Sequence, residues 1–370
     1  MTQTAHKKNF KICLVSISLA KGGAERSVAM LSQMLSSLGH QVHIVVLNNE
    51  IDFKYSGTLF NLGALKPKND HFPARLTRFK KLRGYLTTQA FDVVIDHRPK
   101  NEYFRELFYA KYIYRNLSAI YVVHSSKKQE YFTKMVTKMA AIYNTQLATV
   151  TVSNHIEQYV AKTSGVLNCS TIHNAYNPAW KQETSLDDLP ANNYILSYGR
   201  LYDGIKDFSF LIHTFNVSGV WKDGVSLVIM GDGPDKKMLQ DLAASMPCNK
   251  HIVFLPFTKA PFGIIQNARC VTLTSFYEGF PMVLVESLSV GVPVISLDII
   301  SGPSEIIQHN YNGLLVKERD PEKFADALGV ICRDEVLYLK LKAQTQGSVQ
   351  QFSMQEISAK WDKLLQHVIR

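Results

Sequence analysis

The sequence has no apolar run of the ~18–20 residues that a membrane-spanning helix requires. It has no D-x-D pair and no H-E-x-x-H, so two common ways of recruiting a divalent cation are missing. The five cysteines (Cys13, Cys169, Cys248, Cys270, Cys332) are scattered, odd in number and never spaced C-x-x-C. That argues against a disulfide framework and for a reducing compartment. The turn after the first strand-like segment lacks the G-x-G-x-x-G fingerprint, and no G-x-x-x-x-G-K-[ST] occurs. Low-complexity tracts and short-period repeats are absent too.

What is present is globular. The 370 residues are 46% hydrophobic and 19% charged, a length that suits two domains of roughly 150–200 residues. The net charge of +10 is uneven: residues 1–180 carry 23 Lys and Arg against 10 Asp and Glu, and residues 181–370 carry 18 against 21. A basic half suits an anionic membrane surface, an anionic polymer or a phosphorylated substrate. Lys7, Lys8 and Lys11 precede "ICLVSISLA", which imitates a signal peptide, but the helical pattern that follows makes this run a first strand.

The first half alternates short Val/Ile/Leu-rich segments ("KICLVSISL", "QVHIVVL", "FDVVIDH", "SAIYVVH", "LATVTVS") with helical ones, including 24–38. The second half repeats the alternation with "YILSYG", "VSLVIMG", "HIVFLPF", "CVTLTS" and "PVISLD". Helices are expected at 206–216, 235–246, 260–268 and 282–290, two more over 320–345, and a last one at 354–370. Continuous apolar strands separated by helices predict parallel sheets covered on both faces, hence two doubly wound α/β domains facing across a cleft. "NAYNPAWKQETSLDDLPANN", with turns at Asn177–Pro178 and Leu189–Pro190, reads as the linker.

Ligands of such sheets sit outside the carboxyl ends of the strands. There the stretch "EGFPMVLVE" places Glu278 in a loop and Glu286 about one turn into an apolar helix. The helix N-terminus suits a phosphate, and the carboxylates suit sugar or ribose hydroxyls. The plainer alternative is solvated acids, which fits Glu286 poorly, since a charge inside "VLVESL" needs partners. In "GRLYDGIKD", Arg200 and Lys206 follow a strand and suit a diphosphate, although an Arg–Lys pair in such a loop is commonly just solvated. Gly22–Gly23 permits a close backbone approach to a ligand, or is simply a turn. His124 ends a strand and can donate to a sugar hydroxyl, or is merely packed. His97, His155 and His173 are less well placed, and "GDGPDKKML" reads as a structural turn.

Together these residues resemble glycosyltransferase family 4, retaining enzymes of the GT-B fold. The E-x7-E pattern matches Glu278-Gly279-Phe280 through Glu286, G-R-L…K matches Gly199-Arg200-Leu201…Lys206, and G-G-A-E-R matches Gly22–Arg26. The strand-ending His matches His124, and "NYNGLLV" (310–316) is similar to the family's late N-G-L-L-V segment. The spacing from Arg200 to Lys206 is one residue longer than usual, and "SGPSEII" (301–307) replaces a Gly-Gly turn, a variant associated with UDP-hexose or UDP-N-acetylhexosamine donors.

The resemblance implies that residues 1–178 form an acceptor-side domain and residues 179–353 a nucleotide-sugar domain, with 354–370 packing back toward the first. Glu278 should contact the donor sugar, with Gly279, Phe280, Pro281, Met282 and Val283 forming the adjoining loop and helical turn. Glu286 should hold the ribose, and Arg200 and Lys206 the diphosphate. Gly22 and Gly23 should close over that phosphate, and His124 should lie near the reacting sugar. Glu278, His124, Arg200 and Lys206 are therefore the expected catalytic group. No metal or other cofactor is expected, so cations and helix dipoles must neutralise the diphosphate.

The segment 71–90 places Phe72, Leu76, Phe79, Leu82 and Leu86 at helical spacing with Arg75, Arg78, Lys80, Lys81 and Arg83 interleaved. Such a helix either lies on an anionic bilayer or packs on its domain with a solvated basic face. The partners expected are a nucleotide-sugar and a glycan or lipid-linked acceptor, with no nucleic acid. The place expected is the cytoplasm, at the inner face of the membrane if the basic helix binds it. Competing readings are a nucleotide-sugar epimerase, an inactive glycan-binding GT-B protein and an NAD-dependent dehydrogenase.

Overall fold

The computed structural model describes residues 8–67, 71–177 and 193–369. Lys7 and most of the linker segment (178–192) lie outside the described residues, as do Pro178 and the Leu189–Pro190 turn. The chain divides into two compact units: one runs to Ala175 and resumes at Met354, and the other is Tyr176–Ser353.

Among its described residues the first unit holds seven parallel strands, β1 (Lys11–Ser16), β2 (Gln41–Val46), β3 (Thr58–Asn61), β4 (Val93–Asp96), β5 (Ala119–Val123), β6 (Ala148–Thr151) and β7 (Cys169–Thr171), in the order β3-β2-β1-β4-β5-β6-β7. The central strands β1, β4 and β5 are buried almost throughout, which is why they read as unbroken apolar runs. Edge strands β3 and β7 are only half-buried, carry no such run and escape sequence reading. The helix Gly23–Ser37 follows β1 and packs against the last helix, Met354–Val368. Asp362 on that last helix lies 3.3 Å from Nε2 of His40, and Gln366 donates to the Lys8 carbonyl.

Among its described residues the second unit holds six parallel strands, β8 (Tyr194–Tyr198), β9 (Ser226–Met230), β10 (Ile252–Leu255), β11 (Cys270–Leu273), β12 (Val294–Leu297) and β13 (Gly313–Val316), in the order β10-β9-β8-β11-β12-β13. Its core joins Ile195, Leu227 and Ile295 of the sheet to Phe208, Leu211 and Phe215 of the helix Phe208–Ser218 and to Phe324 and Leu328 of the helix Pro321–Arg333. Strand β13 lies inside "NYNGLLV", where the sequence signals a motif but not a strand. Strand order reverses between β1 and β4 and between β8 and β11, and these switch points are where open parallel sheets leave a crevice.

Candidate functional site

The turns at the second switch point are built backbone to backbone. Gly199 follows β8 at φ +149°, and Gly231 follows β9 at φ +150°. A Cβ on Gly231 would collide with the Gly199 carbonyl, and one on Gly233 with the Leu201 backbone. The two turns are tied by bonds from the N–H groups of Gly199 to Met230 O (3.0 Å), Leu201 to Asp232 O (3.0 Å) and Asp235 to Leu201 O (3.1 Å). The "GDGPD" turn is therefore a brace for the Arg200 segment. Arg200 itself is exposed, and its guanidinium makes no ion pair among the described residues.

Lys206 ends the one-turn helix Asp203–Lys206, and its Nζ donates to Oε1 of Glu278 at 2.6 Å. Ser275 Oγ donates to the same oxygen at 2.7 Å. The pair is semi-buried, with side chains 22% and 14% exposed. Its geometry is set by the backbone around it. Thr274 donates to the carbonyls of Lys206 (3.1 Å) and Asp207 (3.0 Å), and the Phe276 N–H to Ile205 O (2.8 Å). Arg319 clamps the end of β11 by donating to Thr274 O (3.0 Å) and Ser275 O (2.7 Å), pairs with Asp207, and lies 4.1 Å over the Phe276 ring. Asp207 sits at φ +53° and caps the helix Phe208–Ser218 through the Phe210 N–H.

Beyond Glu278 the chain enters the helix Met282–Ser289, with Pro281 as N-cap and no side chain capping its first turn. That leaves the first-turn N–H groups of Met282 and Val283 without a side-chain acceptor, the arrangement that favours an anion. The entry is packed tightly. Phe280 is buried 5.1 Å from the Phe352 ring, Ser301 Oγ donates to Gly279 O at 2.9 Å, and Gly302 (φ +99°) lies so close to Pro281 that a Cβ would clash. Glu286, only 2% exposed, accepts from the Tyr198 hydroxyl at 2.8 Å. Burial of this acid is matched by a polar partner, as a buried charge requires.

In the first unit, Gly22 caps the helix Gly23–Ser37. The Glu25 carboxylate folds back onto that turn so closely that a Cβ on Gly22 would collide with it, and burial raises its pKa. Here the anion at the helix N-terminus is the chain's own. His124 follows β5 and meets His97, with Nδ1 of His97 2.9 Å from Nε2 of His124.

Of the residues singled out in the sequence, Arg200, Lys206, Glu278 and Glu286 lie around the β8/β11 switch point. Sequence reading does not single out Tyr198 or Arg319, whereas the bracing role of Gly231 and Gly233 agrees with the structural turn read from "GDGPDKKML". Arg319, 112 residues from Asp207, gives no local signal.

The sequence model described as Glycosyltransferase Family 4 matches residues 21–180, and the one described as Glycosyl transferases group 1 matches residues 180–347. The chain belongs to glycosyltransferase family 4. Among solved structures it is similar to Anabaena HepE, crystallised with UDP and glucose, at a TM-score of 0.79 and 17% identity, covering 97% of this chain and 100% of that one. Its fold is GT-B. Among curated relatives in sequence, a Campylobacter jejuni 4-α-N-acetylgalactosaminyltransferase acting on a diphospho-undecaprenol-linked saccharide is 26% identical over 90% of this chain and 94% of that protein. The lipopolysaccharide 1,6-galactosyltransferase of Escherichia coli K12 is 32% identical over 45% of this chain and 48% of that protein. The chain spans about half the length of several of the curated relatives it matches. In this family member the described residues contain no group of three or more His, Cys, Asp or Glu side chains able to hold a metal ion.

Proposed function

We propose that the protein is a retaining, metal-independent glycosyltransferase. It moves a hexose or N-acetylhexosamine from a UDP-sugar to a saccharide or lipid-linked acceptor in cell-surface polysaccharide or glycan synthesis. The observation that carries this reading is the Glu278–Lys206 pair at 2.6 Å, lying at a sheet switch point beside an uncapped helix start.

Lys206, Arg200 and the N–H groups of the Met282–Val283 turn stabilise the charge that grows on the departing diphosphate. Glu278 orients the donor sugar through its hydroxyls, and Glu286, with Tyr198 behind it, holds the ribose. The bond from C1 to the β-phosphate oxygen breaks, and its electron pair stays with the phosphate. The acceptor oxygen bonds to C1 from the same face, and its proton passes to the departing phosphate. Glu278 is then a positioning group rather than a nucleophile. His124 lies near the reacting sugar. The test is a thermal-shift screen of UDP, GDP and ADP: UDP at saturation should raise the melting temperature by about 2–4 °C. No response to UDP, or an equal one to GDP and ADP, would overturn the donor assignment.

For the acceptor side, the relevant element is the helix Phe72–Thr88. Leu82 and Leu86 are buried, and Phe79 packs 5.1 Å from Phe108, so the later turns belong to the unit's own core. Phe72 (77% exposed) and Leu76 (39%) face solvent, as do Lys80 and Lys81. No described helix is long and apolar enough to cross a membrane. The proposal is peripheral binding at the cytoplasmic membrane face through Phe72, Leu76 and the exposed Lys80 and Lys81. Co-sedimentation with anionic vesicles at low salt should be clear, and should fall at least about threefold in a Phe72→Ala, Lys80→Glu, Lys81→Glu variant. Absence of wild-type binding would remove the membrane from the picture.

A further inference from the structure

His97 and His124 end the neighbouring parallel strands β4 and β5. The His97 backbone is fixed by its N–H bond to Val15 O (2.9 Å), and the residue is only 5% exposed. The ring centroids are 5.2 Å apart with planes at 30°. That separation is little more than the 2.9 Å between Nδ1 of His97 and Nε2 of His124 plus two ring radii, so the rings meet edge to edge with the nitrogens aimed at each other. The opposite nitrogens, Nε2 of His97 and Nδ1 of His124, are buried without a hydrogen-bond partner among the described residues.

Burial, then the Lys100 cation, lowers the His124 pKa to about 3. Burial, then His124 and Lys100, hold His97 well below its ordinary value against the opposing pull of Asp96. Both rings are neutral near pH 7, so each carries one N–H. Only two arrangements satisfy the bond between them. Either Nδ1 of His97 donates, and the proton of His124 sits on Nδ1; or Nε2 of His124 donates, and the proton of His97 sits on Nε2. In both cases the two rings share one tautomer, and the pair shows one donor and one acceptor outward.

We propose that His97 is a positioning residue that fixes the ring orientation of His124 and locks its tautomer to its own, so that His124 stands beside the reacting sugar in one arrangement. This rests on the glycosyltransferase reading above. The tautomer of a histidine is set by the bond its other nitrogen makes, and a reacting group misplaced slightly loses rate rather than binding.

Two measurements test it. Donor turnover is followed with UDP-glucose, UDP-galactose, UDP-N-acetylglucosamine and UDP-N-acetylgalactosamine in wild type, His97→Phe and His97→Asn. His97→Phe keeps the ring volume without the nitrogen. It should lower kcat about tenfold or more with the KM for the donor within about twofold. Asparagine places a polar atom near the Nδ1 position and should recover most of kcat. A kcat for His97→Phe within twofold of wild type overturns the proposal, as does a loss confined to KM. Long-range ¹H–¹⁵N spectra of labelled wild type at pH 7, assigned by the signals missing from His97→Phe and His124→Phe, or from His97→Gln and His124→Gln if those fail to fold, should show both rings neutral with matching tautomers. Unlike tautomers, or a protonated ring, overturn it regardless of activity. If the wild type neither binds UDP nor turns over any donor, the functional reading falls, and the spectra still decide whether His97 sets the state of His124.

Discussion

Glu278→Ala should leave a folded protein whose glycosyl transfer is reduced by about 100-fold or more, with a smaller loss for Glu278→Gln. The carboxylate is the common acceptor of Lys206 and Ser275, at 2.6 and 2.7 Å. Alanine removes the anion that sets where Lys206 rests and, on the reading above, the group that orients the donor sugar. The surrounding scaffold does not depend on it. Thr274, Phe276 and Arg319 hold the loop through backbone carbonyls and N–H groups that Glu278 does not touch. The stability cost should accordingly be modest, about 1 kcal/mol, as for a semi-exposed ion pair. Glutamine keeps an oxygen for Lys206 and Ser275 but not the charge. Steady-state rates with the preferred donor, beside urea midpoints, separate the two effects. Near-wild-type transfer in both variants would remove Glu278 from the site.

Asp96→Ala should be the most damaging single change to the first unit, about 3–5 kcal/mol in the urea transition, or failure to fold. Asp96, Arg98, Lys100 and Glu106 are buried together. Arg98 bridges Asp96 (2.7 Å) and Glu106 (3.1 Å) and lies 3.4 Å over the Tyr109 ring, while Lys100 donates to the carbonyls of Asp96 and Arg98. Burial opposes ionisation of Asp96, yet Arg98 and Lys100 hold its carboxyl below the usual range. Removing it leaves two buried cations against one carboxylate.

Lys100 gives this loss a pH signature. Burial, opposed by Asp96, already lowers its pKa to about 8. The unfolded chain keeps a lysine proton up to about pH 10.4. Between those values the unfolded state binds more protons, so this group makes stability rise with pH. Without the Asp96 anion the folded value drops further, and the rise starts below pH 8. The deficit of Asp96→Asn relative to wild type should therefore shrink between pH 6 and pH 9. A deficit that is constant across that range would mean Lys100 does not depend on Asp96 for its charge.

The sequence is informative where one residue type in one local pattern decides the outcome. The runs that became β1, β4, β5, β8, β9 and β11 are apolar because both faces of those strands are covered. β3 and β7 are only half-buried and carry no such run. Glu278 and Lys206 are legible as separate motif positions, but their ion pair is not, since they stand 72 positions apart. Tyr198 is hidden for the same reason, 88 residues from Glu286. The Asp96 cluster is compact in sequence, within "DHRPKNEYFRE", and still goes unread, because a run so rich in charge is expected at the surface. The apolar stripe over 71–90 is visible, but which of its turns pack inward depends on Phe108 and Tyr109, which no local pattern points to.

The two places where the backbone passes from one unit to the other lie side by side. Tyr176 pairs with Ser353 as an isolated bridge, and the Tyr176 N–H donates to Phe352 O at 2.9 Å. Tyr176–Ser353 is thus a cassette inserted into an otherwise continuous host, with its entry and exit stitched together. Neighbouring ends are what permit a segment to be excised, transplanted or circularly permuted without stretching the chain. The Glu278–Lys206 pair and its Arg319 clamp all lie within that cassette, so on the function proposed above donor recognition could be exchanged between relatives as a single block while the host is left in place.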